Sequence, residues 1–227
     1  TLDTSRGRIA ALRMGNPKGP KVLALHGWLD NAASFLPMAP YLAEADLVAI
    51  DMLGHGASTH IPAGYDYAFV DWLHDILDVL DALGWSQAHL LGHSLGGALA
   101  TVVAAGAPER VLSLALIEAL GPPPWPGEQA AERLRKAIAG RRKPASLPRV
   151  IPDIATAVRA RLQATEKSEA AARLLVERNL KAATSVKGMT NAALPLVVDS
   201  SRRMSFSSII ATRSHEDIYR PERGGYD

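Results

Sequence analysis

The sequence predicts an α/β fold: a doubly wound, mostly parallel sheet with an inserted helical cap and a shortened C-terminal part. Two short apolar runs, at residues 22–25 (VLAL) and 47–50 (LVAI), are typical of strands that are buried on both faces of a sheet. Segments with helical spacing alternate with such runs, and this alternation indicates a parallel sheet. After a Pro/Gly-rich break at residues 121–127 (GPPPWPG), residues 128–187 are rich in Ala, Arg, Leu and Glu, which favours helices.

The elements can be assigned in order along the chain. The predicted strands lie at residues 6–14, 22–25, 47–50, 88–91, 112–117, 194–198 and 206–211. The predicted helices lie at residues 32–43, 69–83, 98–107, 128–139, 153–165 and 167–183, with Gly84 and Pro108 as stop signals. We therefore expect a core formed by residues 1–122 and 188–227, and a helical cap formed by residues 123–187.

Composition excludes several functional classes. The 227 residues include no cysteine, which excludes disulfides and thiol catalysis and fits a reducing, cytoplasmic compartment. No apolar run approaches the ~20 residues that a membrane span needs. The chain has neither an HExxH pattern nor clustered metal-ligand spacing, and it lacks a P-loop lysine motif. We expect no metal, no cofactor and no membrane span.

The net charge of +2 is unevenly distributed. Residues 130–187 hold 14 Lys/Arg against 5 Asp/Glu, whereas residues 1–129 hold 6 against 13. We interpret the basic segment as a solvated helical face that docks on an acidic body; the alternative is attraction of anionic substrates or nucleic acid. Because the chain has no aromatic interleaving, zinc spacing or RNP-like run, we expect no nucleic-acid partner.

Two motifs predict the chemistry. The pentad at residues 92–96 (GHSLG) lies between a predicted strand and a predicted helix, the context of a nucleophile elbow, so Ser94 is the candidate nucleophile. Residues 26–31 (HGWLDN), here called the oxyanion loop, follow the first buried strand. Its glycine lets the Trp28 N–H turn into the crevice, where it and the Leu95 N–H would form an oxyanion hole. Each such donor stabilises the transition state by ~2.7–4 kcal/mol.

These motifs, with residues 51–56 (DMLGHG) and Ser58, resemble the α/β-hydrolase family over most of residues 6–122. The nearest branch is the serine hydrolase-like proteins, which are similar around the oxyanion loop and the elbow. The resemblance implies a sheet core with a helical lid and cofactor-free acyl transfer. It also implies that nucleophile, acid and base follow in that order along the chain. A serine at position 94 argues against the epoxide hydrolase and haloalkane dehalogenase branches and favours ester-type substrates. We expect Asp51 to anchor the neighbouring loop.

The base and the acid are less clearly marked. The family places its base downstream of the cap. Of the histidines in this chain, His215 is the one that lies there, so we assign it the role of base. The alternative is that His215 is a surface histidine in a polar tail. Glu118 ends a predicted strand and is similar to hydrolases that carry their acid one strand earlier. Asp199 follows the run at residues 194–198 and matches the usual family position. We favour Glu118 narrowly over Asp199, and Asp217 lies too close to His215.

About 40 residues follow the cap, fewer than the strands, helices and histidine loop of the family pattern need. Residues 200–214 hold six serines, unlike the preceding chain, so an altered C-terminus with an intact nucleophile and a compromised base is one hypothesis. The principal prediction is a carboxylesterase-type serine hydrolase acting through an acyl-enzyme on a small-molecule acyl substrate. The alternative is a catalytically impaired hydrolase-fold protein that binds a small ligand or partner. A C–C bond hydrolase or non-metal perhydrolase would use the same three residue types.

Overall fold

The computed structural model describes residues 1–61, 67–122, 126–142, 149–151, 153–164, 168–183, 196–198 and 204–205. Its strands are β1 (Leu2–Thr4), β2 (Gly7–Ile9), β3 (Ala11–Gly15), β4 (Lys21–Leu25), β5 (Asp46–Ile50), β6 (Tyr67–Ala68), β7 (Ala88–His93), β8 (Val111–Ile117), β9 (Arg149–Ile151), β10 (Leu196–Val198) and β11 (Met204–Ser205). Its α-helices are α1 (Phe69–Ala82), α2 (Leu95–Gly106), α3 (Ala130–Arg141), α4 (Ile154–Ala164) and α5 (Glu169–Ala183).

Five strands form the central sheet in the order β3-β5-β4-β7-β8. Strand β3 is antiparallel to β5, and the other neighbours are parallel, which confirms the predicted mostly parallel sheet. Alternate side chains of β5 enter two different core clusters, so layers cover both faces of the sheet. Trp72 and Ile76 of α1 and Leu99 of α2 belong to the cluster on one face, and Phe35 belongs to the cluster on the other.

Two predicted elements form differently. The predicted strand at residues 6–14 is divided at Ala10, because the Ala10 N–H donates to Ser58 Oγ (2.8 Å) instead of to the neighbouring strand. Its carbonyl still accepts from the Asp51 N–H (2.8 Å), in register with the ladder of β3 and β5. The predicted helix at residues 32–43 is wrong. It forms two short 3₁₀ turns, because Pro37 has no N–H to continue the first turn and its ring disfavours a longer helix.

The helices predicted for the cap form close to their expected positions. Helices α4 and α5, here called the helix pair, share a small apolar cluster that includes Val158 and Ala172. The described part of the predicted strand at residues 194–198 forms β10, which pairs antiparallel with β9 rather than extending the central sheet. The predicted strand at residues 206–211 lies outside the described residues, and the division into core and cap stays a prediction.

Candidate active site

Ser94 lies at the sharp turn between β7 and α2. Its backbone has φ 49° and ψ −115°, a conformation that non-glycine residues rarely adopt and that costs about 1–3 kcal/mol. The side chain is exposed and does not cap α2, so Oγ is accessible to a reactant. A Cβ at Gly92 would lie 2.5 Å from the Gly96 carbonyl oxygen, and one at Gly96 would overlap the Leu25 carbonyl oxygen. The turn therefore requires glycine on both sides of Ser94, as a nucleophile elbow does.

The oxyanion loop approaches this turn closely at Gly27. A Cβ at Gly27 would lie 3.4 Å from Ser94 Cβ and 3.0 Å from His93 Nδ1, so the loop and the nucleophile turn leave little room for a side chain there. In the described part of the chain, the N–H groups of Trp28 and Leu95 donate to no protein acceptor. Leu95 is also the first residue of α2, where the helix dipole contributes positive charge. The predicted oxyanion hole requires such donors, and their role stays a prediction.

Buried polar side chains fix the oxyanion loop from behind. His26 Nε2 accepts from the Met52 N–H (3.0 Å), which leaves Nδ1 to donate to the Gly27 carbonyl oxygen (2.7 Å). The Asp51 carboxylate accepts from the Ala32 N–H (2.7 Å) and from a backbone N–H of its own loop (2.8 Å). Asp51 therefore anchors the loops that follow β4 and β5, the role that we expect for it from the sequence.

Glu118, one of the two favoured acids, directly follows β8. Its backbone has φ 54°, and its side chain is 79% exposed. Its Oε2 lies 3.3 Å from Nε2 of His93, the residue before the nucleophile. The other predicted acid, Asp199, and the predicted base, His215, lie outside the described residues. The structure thus brings Glu118 close to the elbow, and the acid and base roles stay predictions.

The sequence does not single out His93 and Asp30, yet both lie beside the nucleophile. His93 Nδ1 is 3.8 Å from Asp30 Oδ2, and Asp30 is only 4% exposed. A signal for Asp30 exists in the sequence: a carboxylate in a loop directly after a buried strand needs a cationic partner if it is buried, and the basic segment at residues 130–187 can supply one. His93 carries no comparable signal, because the elbow pattern G-x-S-x-G specifies no residue type at its second position.

A cavity of about 260 Å³ lies beside the elbow, between α5 and the segment that follows the oxyanion loop. Its lining is mostly apolar and includes Phe35, Met38 and Leu175. Asp30 and His93 are among its few polar residues. This combination suits a small, largely apolar ligand that is oriented by a few polar groups.

Two further findings concern the described residues alone. No three His, Asp or Glu side chains among them converge as a metal ion requires. None of their helices has the length and apolar character that a bilayer span needs. The expectation of cofactor-free chemistry stays a prediction.

Known proteins resemble the chain at the level of sequence and structure. The profile of the alpha/beta hydrolase fold matches residues 20–212. The serine hydrolase-like protein of Danio rerio is 38% identical over 133 residues, which cover 58% of this chain and 41% of that protein. A hypothetical protein from Pseudomonas aeruginosa PAO1 has a solved structure with a TM-score of 0.72 at 34% identity, covering 91% of this chain and 74% of that chain. The thioesterase domain from the curacin biosynthetic pathway gives a TM-score of 0.70 at 27% identity, covering 88% and 69%.

The match to the relatives is partial in length. The chain spans between 29% and 56% of the serine hydrolase-like relatives that it matches. The profile match, by contrast, takes in most of the chain, including the oxyanion loop and the elbow. On this basis, the chain belongs to the α/β-hydrolase fold family and, within it, to the serine hydrolase-like branch.

Proposed function

We propose that the chain is a carboxylesterase-type serine hydrolase that acts through an acyl-enzyme on a small acyl ester. The observation that supports this most is the exposed Ser94 hydroxyl on a strained turn. Backbone strain of this kind persists where the surrounding structure enforces it, and it concentrates at functional sites. The adjacent N–H groups of Trp28 and Leu95, which have no protein acceptor among the described residues, add the electrostatic part of such a site.

In this mechanism, Ser94 Oγ attacks the acyl carbonyl carbon while the predicted base, His215, takes its proton. The carbonyl oxygen becomes an oxyanion that the two amides stabilise. Collapse of the tetrahedral intermediate expels the alcohol, which receives the proton from the base, and leaves the acyl group on Ser94. Water, activated by the same base, then hydrolyses the acyl-enzyme. Glu118 or Asp199 orients the base.

The lining of the cavity beside the elbow is mostly apolar, which favours an acyl substrate with a small apolar group. A solved relative that is named as a thioesterase domain supports acyl chemistry on this fold. We assign residues 123–187 as a cap over this cavity, since Leu175 of α5 contributes to its wall. We also propose a cytoplasmic location, which the lack of cysteine supports.

A second candidate is a catalytically impaired protein that binds a small ligand or partner in the same cleft. The observation in its favour is the position of Glu118, which is 79% exposed and faces His93. A carboxylate in contact with bulk water is screened and holds a histidine in one orientation weakly. This candidate predicts ligand binding that survives loss of Ser94, without turnover.

Trapping the acyl-enzyme tests the proposal. The protein is mixed with p-nitrophenyl esters of short to medium acyl chains, quenched in acid and weighed as intact protein. We expect the parent to gain one acyl group on Ser94 and Ser94→Ala to gain none. Ser113→Ala is the matched control, because Ser113 is an exposed serine whose Oγ contacts a histidine, His89 Nδ1 at 2.8 Å, away from the elbow. Acylation that persists in Ser94→Ala would contradict the assignment, and a folded parent without acylation or turnover would favour the second candidate.

A further inference from the structure

The helix pair α4–α5 contacts three successive residues of the oxyanion loop. Arg161 of α4 donates from Nη1 to the Leu29 carbonyl oxygen (2.9 Å), and its Nη2 forms an ion pair with the Asp30 carboxylate. Asn31 Nδ2 donates to the Leu175 carbonyl oxygen of α5 (2.9 Å). Asp30 is 4% exposed and Asn31 is fully buried, so water competes little for these contacts.

The loop backbone needs such support. Leu29 has φ 60°, a left-handed conformation that a leucine adopts only where its neighbours enforce it. On one side of this residue, the Asp30 N–H donates to the Gly27 carbonyl oxygen (3.1 Å) and closes a tight turn. On the other side, Arg161 holds the Leu29 carbonyl oxygen. The Trp28 N–H lies within the turn that these two contacts define.

The Asp30 carboxylate also links the helix pair to the nucleophile turn. The same side chain that pairs with Arg161 places Oδ2 3.8 Å from Nδ1 of His93, the residue before Ser94. Arg178 of α5 pairs at 2.8 Å with Asp51, whose carboxylate accepts from the Ala32 N–H, directly after the loop. The helix pair thus holds the C-terminal half of the oxyanion loop, from Leu29 to Asn31.

We propose that Arg161 is a positioning residue for the oxyanion hole. It fixes the Leu29 carbonyl and the Asp30 carboxylate and thereby aims the Trp28 N–H at the nucleophile. The expected effect of Arg161 on catalysis rests on the proposed function, whereas its expected effect on the position of the Trp28 amide does not. Removing Arg161 takes a paired cation away from a buried carboxylate, and we expect the loop to move in response. Since the lost interaction is made in the transition state, kcat should fall while KM changes little.

The test compares Arg161→Gln with Arg159→Gln. Arg159 lies on the same helix and is exposed, and among the described residues it donates only within α4, to Thr156 Oγ1 (2.8 Å), so it is a matched control. Labelling with ¹⁵N-tryptophan gives backbone amide signals for four residues, and Trp28→Phe identifies that of Trp28. We expect Arg161→Gln to shift the Trp28 amide signal, Arg161→Lys to shift it less, and Arg159→Gln to leave it in place.

Kinetics on an acyl ester complete the test. We expect Arg161→Gln to lower kcat by roughly 100-fold, the effect of misplacing one donor, with KM changed by less than about 3-fold. If Arg161→Gln fails to fold, Asp30→Asn/Arg161→Gln removes the buried charge together with its partner and should shift the same signal. An unmoved Trp28 amide in either folded variant would overturn the proposal. A shifted Trp28 amide in a protein whose parent is inactive would support the positioning role and contradict the proposed function.

Discussion

Gly27 sets how closely the oxyanion loop approaches the nucleophile. Alanine there would place a Cβ 3.0 Å from His93 Nδ1 and 3.4 Å from Ser94 Cβ, and we expect the loop to shift by a few tenths of an ångström and carry the Trp28 N–H with it. We expect Gly27→Ala to slow fluorophosphonate labelling of Ser94 by about 10–100-fold, because the oxyanion donor loses its alignment. The measurement is the labelled fraction by intact mass over time.

Gly106→Ala is the control for this substitution. A Cβ added at Gly106, the last residue of α2, meets no atom within 4 Å. We expect an unchanged labelling rate and a free energy of unfolding that rises by about 0.5–1 kcal/mol, since alanine favours the helix. Equal labelling rates for Gly27→Ala and Gly106→Ala would show that the close approach at Gly27 has no part in activation.

The acid is decided by a pair of substitutions. We expect Glu118→Gln to lower kcat by about 100-fold or more, because the base loses the carboxylate that orients it, and Asp199→Asn to leave kcat nearly unchanged. Steady-state ester hydrolysis measures both. Glu109→Gln is the control, since Glu109 is an exposed carboxylate just before β8. The reverse result assigns the role to Asp199, and full activity in both variants would contradict an acid at either position.

Helix α1 carries a buried carboxylate that ties it to the N-terminal hairpin of β1 and β2. Asp75 is 2% exposed and pairs with Arg6 at 3.1 Å. Burial raises the pKa of Asp75 to about 6, because the cost of desolvation exceeds the opposing attraction of Arg6. The folded chain therefore holds this proton more tightly than the unfolded chain does. The stability that protonation provides is complete below the unfolded pKa of about 3.9 and is lost as pH rises through about 6.

Asp75→Asn should therefore stabilise the fold at neutral pH. We expect the free energy of unfolding in urea to rise by about 1–3 kcal/mol near neutral pH and by less near pH ~5, where the parent is itself largely protonated. Asp71→Asn is the control, because Asp71 also pairs with Arg6 (3.2 Å) but is 37% exposed. We expect its effect to stay below about 1 kcal/mol. A less stable Asp75→Asn at both pH values would show that the Arg6 ion pair outweighs the cost of burial.

Local signals predicted the elements around the nucleophile well. Strand β7, the glycines at 92 and 96 and helix α2 follow from neighbouring residues, and the structure forms them in that order. The prediction of a helix at residues 32–43 was wrong. The composition of the segment favours a helix, but Pro37 interrupts it, and two 3₁₀ turns form instead. The ion pair of Arg161 with Asp30 joins residues 131 positions apart, and no local pattern specifies which arginine meets which aspartate.

Charge divides the whole molecule into an acidic first part and a basic segment at residues 130–187, and the two meet at the loops around the nucleophile. The ion pairs of Arg161 with Asp30 and of Arg178 with Asp51 join them there. The sequence predicted that the basic segment docks on an acidic body, and these two pairs are contacts of that kind. The sequence predicts the structure beyond α5 least well. The segment at residues 194–198 was expected to be the next strand of the sheet, but its described part, β10, pairs with β9.

That Ser94 is an activated nucleophile is tested most directly by labelling the whole chain with a fluorophosphonate and weighing the intact protein beside Ser94→Ala. Activation needs the strained turn, the oxyanion donors and a base within reach of Oγ at the same time. We expect a single adduct on the parent, mapped to Ser94, and none on Ser94→Ala. A folded parent that takes up no label, or an adduct that persists in Ser94→Ala, would contradict the assignment of Ser94 as an activated nucleophile.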